Sequence, residues 1–334
     1  MKTTLKIIAS FLLTGFFLWA AFQGVDWLVL KNTFLTADPT WILVSGLLAL
    51  LSCLPRAWRW QMLLKPVSPH ISLKSAFWAV VLAYAGNNVL PRAGEFARVL
   101  ALKKEHPISM SAVLATVVVE RLLDMLVLLI FFAVVLVFAQ EKIAHAFPGL
   151  ESVGLISLPV LIIAFCGIGW LSASGERGLL LLQHYLNLLS PTMAQKTIEI
   201  LRAFLQGIKA VHTVEGYVGI LISTILLNAF YLLALFLPFY SFNFPSQYGL
   251  NLFDGLVVMV ISTVGVVIPT PGGAGTYHYF CKQSLHLFYG IPESVALAFA
   301  TSVHGIAFIF FSLFGGPSLL RLLWSQKKEK QEKP

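Results

Sequence analysis

From Val153 to Leu171 the chain runs without one charged side chain. A helix of that length crosses the roughly 30 Å hydrocarbon core of a bilayer. In lipid every backbone amide must be satisfied within the protein, which leaves helices and closed barrels as the only spanning structures. Comparable apolar runs lie at about 6–23, 41–55, 109–139, 217–239 and 292–323. Charged residues make up 11% of the chain, and mean hydropathy is +0.83. Soluble domains carry roughly 25% charged residues. The expected fold is therefore all-α: one polytopic integral membrane domain over 1–323, followed by a basic tail over 324–334.

A net charge of +8 taken alone suits a nucleic-acid partner, but its distribution argues against one. Lys and Arg gather at Arg56, Arg59, Lys65 and Lys74, at Lys103 and Lys104, and in the tail. The alternate loops (23–40, 140–152, 240–251) hold only Lys31 and Lys142. That is positive-inside asymmetry, and it places both termini in the cytoplasm. No basic stripe sits on a soluble helix, so no nucleic-acid partner is expected. The Lys2/Lys6 start and apolar run to Phe22 resemble a signal peptide, but their orientation fits an uncleaved first span. Cys53, Cys166 and Cys281 are isolated, which gives no disulfide framework.

Two segments do not read as simple spans. Residues of about 75–104 are apolar, then broken at Gly86–Pro91, with basic flanks at both ends. A segment that returns to the side it left is a re-entrant hairpin. The second, about 252–289, is broken by Pro269-Thr270-Pro271-Gly272-Gly273-Ala274-Gly275 and reads as a hairpin ahead of the alternative, a pair of full spans with the break at the inner surface. With about six full spans around them, the two hairpins dip from opposite faces at matching places, the pattern of an inverted repeat. Irregular backbone at membrane depth must be buried in protein or line a cavity, so both breaks point to one central site. Between 175 and 215, Ser190-Pro191 starts an amphipathic helix with Ile198, Leu201, Phe204, Leu205, Ile208 and Val211 on one face. It is expected at the cytoplasmic surface, packed on the protein's own spans.

Six ionisable groups interrupt the apolar sequence: Arg92, Glu95 and Arg98 after the first break, and Glu120, Arg121 and Asp124 in the next span. One charge near a bilayer centre costs at least about 2.5–3.5 kcal/mol on the lenient insertion scale. Three positive and three negative charges sum to zero, which suits either fixed ion pairs or a cluster that opens to a charged ligand. Spacings of i, i+3 and i+4 let Glu95 pair with either arginine and Arg121 with Asp124. In the second break, amides of Gly272, Gly273 and Gly275 ahead of a helix starting near Thr276 offer a seat for an anion, with Tyr277, His278 and Lys282 following. His278, Cys281 and His286 match no strong zinc spacing, so no metal or cofactor is expected. His304 reads as a satisfied interior histidine ahead of a proton relay.

Three stretches carry a resemblance: Asn87-Asn88 running into Pro91-Arg92, Gly94-Glu95 and Arg98; Glu120-Arg121 with Asp124; and Pro269 with Pro271-Gly272-Gly273 and Gly275. Together they resemble the lysylphosphatidylglycerol synthase transmembrane-region family, the flippase half of the multiple peptide resistance factors. The resemblance implies an inner-membrane lipid translocase without enzymatic activity, acting on lipids with anionic or zwitterionic headgroups. It implies substrate contacts at Asn87, Asn88, Arg92, Glu95, Arg98, Glu120, Arg121, Asp124, Gly272, Gly273 and Gly275, to which Tyr277 and His278 are added from their place on the half-helix alone. The soluble aminoacyl transferase domain is lacking, so lipid synthesis is not implied. Tyr277-His278 also stands where many relatives are expected to carry an acidic residue. Two other readings stay open: a membrane-embedded enzyme acting on a lipid phosphate or glycolipid, and a non-transporting partner of a lipid-modifying enzyme.

Overall fold

The computed structural model describes residues 2–139, 159, 163, 166, 167, 170, 171, 173–188, 190–209 and 214–331. Every regular element among them is helical, as expected of an all-α membrane protein. In chain order they are α1 (Lys2–Phe22), α2 (Trp27–Thr36), α3 (Pro39–Leu51), α4 (Cys53–Leu64), α5 (Leu73–Val89), α6 (Ala93–Glu105) and α7 (Met110–Phe138). Then follow α8 (Glu176–Asn187), α9 (Pro191–Lys209), α10 (Val214–Phe236), α11 (Pro238–Ser241), α12 (Phe244–Tyr248), α13 (Leu252–Val267), a 3-10 turn (Pro271–Gly273), α14 (Thr276–Tyr289) and α15 (Glu293–Gln331).

Among the described residues, four helical stretches are long and apolar enough to cross a bilayer: Pro39–Leu64, Met110–Phe138, Glu215–Ser241 and Glu293–Trp324. A fifth counts if α1 and α2, bent by 88° at their junction, form one broken span. The expected span at 153–171 and the loop around Glu151 lie almost entirely outside the described residues. The second span differs from expectation, because it does not stop at Pro55. Pro55 occupies the first turn of α4, where its missing N–H costs no hydrogen bond. The helix runs on to Leu64 and carries Arg56 and Arg59 inward, 4% and 0% exposed, instead of leaving them on a basic surface.

The chain divides into two compact units. The first comprises Met1–Arg59, Ser72–Pro107 and Leu221–Pro334; the second comprises Trp60–Ile71 and Ile108–Ile220. Both hairpins belong to the first. The arms α5 and α6 pack antiparallel, with Gly86 against Gly94 near the tip and Leu82 against Ala97 further back. At 17 and 13 residues they reach about 25 and 20 Å, short of a full crossing. The arms α13 and α14, with 16 and 14 residues, fall short in the same way. Glycine permits the close approach in each. A Cβ on Gly94 would lie 1.8 Å from the Ala83 carbonyl oxygen, and one on Gly265 would lie 2.7 Å from that of Thr276.

The apolar core of the first unit gathers Phe239, Phe242, Phe244 and Phe299 with Cys281, Leu285 and Ala296–Ala300. Phe299 meets Phe239 at 5.3 Å and Phe244 at 5.4 Å between ring centroids. This cluster packs the C-terminal part of α14 against the N-terminal part of α15. Asn251 and Asp254 start α13 with a reciprocal capping box.

In the second unit the amphipathic segment forms α8 and α9 separately. Ser190 Oγ accepts the Met193 N–H at 3.4 Å, which fixes the start of α9. Its Ile198 and Leu205 join Leu179 in a cluster with Leu63, Val119 and Leu171, so the apolar face is spent on the protein itself. Arg202 forks onto Glu176 at 2.9 and 3.0 Å and ties the two helices. The Phe204 and Ile208 side chains and Val211 lie outside the described residues.

Candidate functional site

The tip of the first hairpin is held by its two asparagines. After Val89 the chain leaves helical geometry, and Arg92 adopts φ 61°, a left-handed conformation rarely taken by a side-chain-bearing residue. The second arm starts at Ala93, so Arg92 precedes the helix instead of opening it as its spacing to Glu95 and Arg98 suggested. No side chain at position 92 caps α6. Asn87 Oδ1 instead reaches across and accepts the Gly94 N–H at 2.8 Å. Asn88 Nδ2 donates to Ser312 Oγ at 3.0 Å and the Phe308 carbonyl at 3.3 Å, tying the tip to α15. Arg92 is exposed, Glu95 half-buried, and Arg98 buried at 1% exposure. The three expected neighbours therefore occupy three different environments.

The glycine break packs against α5. A Cβ on Gly272 would lie 3.2 Å from Asn88 Oδ1, so the tips of the two hairpins meet there. Gly272, Gly273 and Gly275 have φ of 57°, 76° and 82°, conformations open mainly to glycine. The loop satisfies much of its own backbone. The Gly273 N–H donates to the Thr270 carbonyl at 3.1 Å, that of Ala274 to the Pro271 carbonyl at 2.9 Å, and that of Gly275 to His278 Nδ1 at 3.4 Å. Two of the three amides assigned to an anion are thus engaged inside the loop in this state. Thr276 Oγ1 lies 3.0 Å from Thr270 Oγ1 and 3.1 Å from the Gly273 carbonyl oxygen, and Ser10 Oγ on α1 donates to the Pro269 carbonyl at 2.7 Å. Tyr277 and His278 follow in the first turn of α14, both against His304 of α15 at 5.0 and 4.9 Å between centroids.

Lys282 does not face the break. Its buried Nζ donates to Glu293 Oε2 at 2.5 Å and to the Gln23 carbonyl at 2.9 Å, where α1 ends. Its charge is absorbed by α15 and α1 as a structural fastening. His286 is turned to the Ile291 carbonyl and Glu293, Cys281 is wholly buried, and His278 faces Gly275. The three do not converge, and among the described residues no group of His, Cys, Asp and Glu is placed to hold a metal.

In the second unit, α7 carries the other charges. Glu120 is 0% exposed, and Arg121 stands between its Oε1 at 3.7 Å and Asp124 Oδ2 at 3.5 Å. The side chain of Arg121 remains 44% exposed. One guanidinium is thus oriented by two carboxylates of its own helix and kept accessible.

Sequence reasoning missed a polar network in the first unit. Arg56 Nε and Nη2 donate to Tyr231 Oη at 3.2 and 3.1 Å, and that hydroxyl lies 2.7 Å from Tyr84 Oη. Tyr84 in turn stacks on Phe311 at 4.3 Å. Arg59 Nη1 reaches Thr224 Oγ1 at 3.4 Å. The available signal was helical spacing: Cys53, Arg56, Ala57, Trp60 and Leu64 share a face in which the apolar members are buried. Beside the first hairpin, Ser75, Trp78, Lys104, Ser318 and Arg321 line a cleft of about 310 Å³.

A family model described as the lysylphosphatidylglycerol synthase TM region matches residues 7–315. The chain belongs to this family. It is a multi-pass membrane protein, in keeping with its long apolar helices. It is similar to a UPF0104 membrane protein of Pyrococcus horikoshii, 30% identical over 167 residues, which cover 49% of this chain and 48% of the relative. A UPF0104 membrane protein of Methanocaldococcus jannaschii is 29% identical over 135 residues, 39% of this chain and 38% of that protein. The matched part thus spans about half the length of these curated relatives or less. No solved structure matches. Irregular backbone lies at the two hairpin tips, and a buried carboxylate beside a half-exposed guanidinium lies on the regular helix α7.

Proposed function

We propose that this protein is an inner-membrane lipid translocase that moves a phospholipid or lipid-linked headgroup between leaflets, with both termini cytoplasmic. The observation that carries the reading is the meeting of two broken hairpins at Asn88 and Gly272. Neither hairpin is long enough to cross, and polar backbone at such a break is tolerated in lipid only beside protein or water. A headgroup that passes there keeps its tails in hydrocarbon and avoids the desolvation penalty of a bare ion, of order tens of kcal/mol in an idealised apolar medium.

Asn87 and Asn88 hold the first tip in place. Arg92, exposed and conformationally strained, is free to swing onto a phosphate, and Glu95 and Arg98 set the local charge behind it. Gly272, Gly273 and Gly275 allow close approach, with the first-turn amides of Tyr277 and His278 as further donors. In the second unit Arg121, poised between Glu120 and Asp124, offers another guanidinium to the same class of ligand. The cleft at Lys104 and Arg321 suits a headgroup more than a whole lipid, since its volume is at the low end of the roughly 300–1,000 Å³ of ligand pockets.

The family description names a synthase, so enzymatic action on lipid and partnership with a lipid-modifying enzyme are the competing readings. Glu120 and Asp124 are the carboxylates best placed for catalysis, yet both are engaged by Arg121. The test is reconstitution of purified protein in vesicles holding a fluorescent phospholipid in one leaflet. Translocation predicts accelerated exposure to a membrane-impermeant quencher with the lipid chemically unchanged. A covalent lipid product would favour the enzyme. Neither exchange nor product, with a stoichiometric enzyme co-purifying, would favour the partner.

A further inference from the structure

Two imidazoles meet beside the glycine break. His278 and His304 lie on different helices with ring centroids 4.9 Å apart, and both are half-buried. His278 Nδ1 receives the Gly275 N–H at 3.4 Å. A backbone amide can only donate, so that nitrogen is a bare lone pair and the ring carries its proton on Nε2. The contact is longer than the roughly 2.7–3.2 Å of ordinary N–H hydrogen bonds and so is readily surrendered.

We propose that His278 and His304 form a proton-binding site that controls the glycine loop, so that one proton and the phosphate of an anionic phospholipid bind cooperatively; its consequence for transport rests on the translocase reading. A proton from water adds to the His278 Nδ1 lone pair. Both ring nitrogens then donate, and Nδ1 no longer accepts from Gly275. The Gly275 amide is released at the start of α14, and a positive charge appears beside it. Both changes favour an anion at the break. His304, so close by, disfavours a second charge, so the pair takes one proton at a time. When the lipid leaves, the Gly275 bond re-forms and the proton returns to water.

Among the described residues, no other ionisable group facing α14 supplies this behaviour. Lys282 is neutralised by Glu293 of α15. From α13, Ser262 and Thr263 are hydroxyls, and Asp254 is committed to the capping box at that helix's far end. The described side chains of α1 beyond residue 7 include none that ionise, and the 271–273 turn has none. Tyr277 and Cys281 belong to types whose ordinary pKa values lie above neutrality.

The test is binding of phosphatidylglycerol by the purified full-length protein between pH about 4 and about 8, a window that includes histidines made harder to charge by burial. This lipid's phosphodiester has no proton to lose there. Affinity should rise on acidification by up to roughly tenfold per pH unit, the limit for one linked proton. His278→Gln, whose amide oxygen can accept from Gly275 but does not titrate, should flatten the dependence. His304→Gln should weaken it, and His286→Gln should leave it intact. A flat wild-type profile, or a slope that survives in both His278→Gln and His304→Gln, overturns the proposal. Should His278→Gln fail to remain monodisperse, loss or survival of the slope in His304→Gln decides. Phosphatidylglycerol vesicles with an imposed pH gradient separate the two readings. Wild-type exchange that ignores the gradient removes the coupling and leaves the translocase. No wild-type exchange at any pH, with linked binding intact, removes the translocase and leaves the proton site.

Discussion

The two hairpins solve one problem with different chemistry. Each must end a helix and turn back without leaving polar backbone stranded. The first turns through Leu90, Pro91 and Arg92 and repairs the break with a side chain, Asn87 onto the Gly94 N–H at 2.8 Å. The second turns through three glycines with positive φ and repairs itself with its own carbonyls and His278. Side-chain repair is rigid and leaves charge at the tip. Backbone repair through an imidazole is conditional, because the imidazole changes its role on gaining a proton. The first hairpin thus reads as the fixed wall of the site and the second as its adjustable one.

Substitutions at the arm crossings should break this comparison most strongly. A Cβ at Gly94 overlaps the Ala83 backbone at 1.8 Å, so Gly94→Ala should cost more than the roughly 1–3 kcal/mol usual for overpacking. Loss of monodispersity in detergent would report it. Gly265→Ala, at 2.7 Å from the Thr276 carbonyl oxygen, should cost less. Equal tolerance at both sites would mean the first hairpin is no more rigid than the second.

Lys282→Met comes next. It leaves the Glu293 carboxylate without its lysine, and breaking a buried pair typically costs about 3–5 kcal/mol. Glu293 is 29% exposed and partly solvated, so about 2–3 kcal/mol is expected here. Adding Glu293→Gln should recover most of the loss in thermal stability. A Lys282→Met protein that folds normally but loses only lipid binding would return this lysine to the binding site.

Asn87→Ala should cost about 1 kcal/mol, the usual loss for a missing helix cap, and loosen the Arg92 tip. Faster amide exchange at Gly94 would report it. The smallest and most discriminating change is Arg92→Gly. It relieves a left-handed non-glycine residue and should raise stability by up to about 1 kcal/mol. If Arg92 engages lipid phosphate, transport should nevertheless fall. A variant both stabilised and fully active would show that the strain serves no function.

The apolar runs, the charge asymmetry and the Pro/Gly breaks determined by themselves that the chain is an all-α membrane protein with two interrupted segments. This follows because lipid leaves the backbone few options and because glycine and proline act locally. The start of α14 at Thr276 and the Ser190 cap of α9 were legible for the same reason. The pairing of Arg121 with Asp124 was legible too, since i, i+3 neighbours share a helix face; its contact with Glu120 was not. What only the tertiary structure decided were relations between distant elements. Arg56 looked like a surface cation until Tyr231, 175 residues away, received it. Lys282 looked available until the end of α1 and the start of α15 closed on it. His304 was legible as an interior histidine, but its partner lies on another helix and sequence spacing cannot encode that contact. Local rules fix where a membrane helix must break; which side chains repair the break depends on what the fold brings beside it.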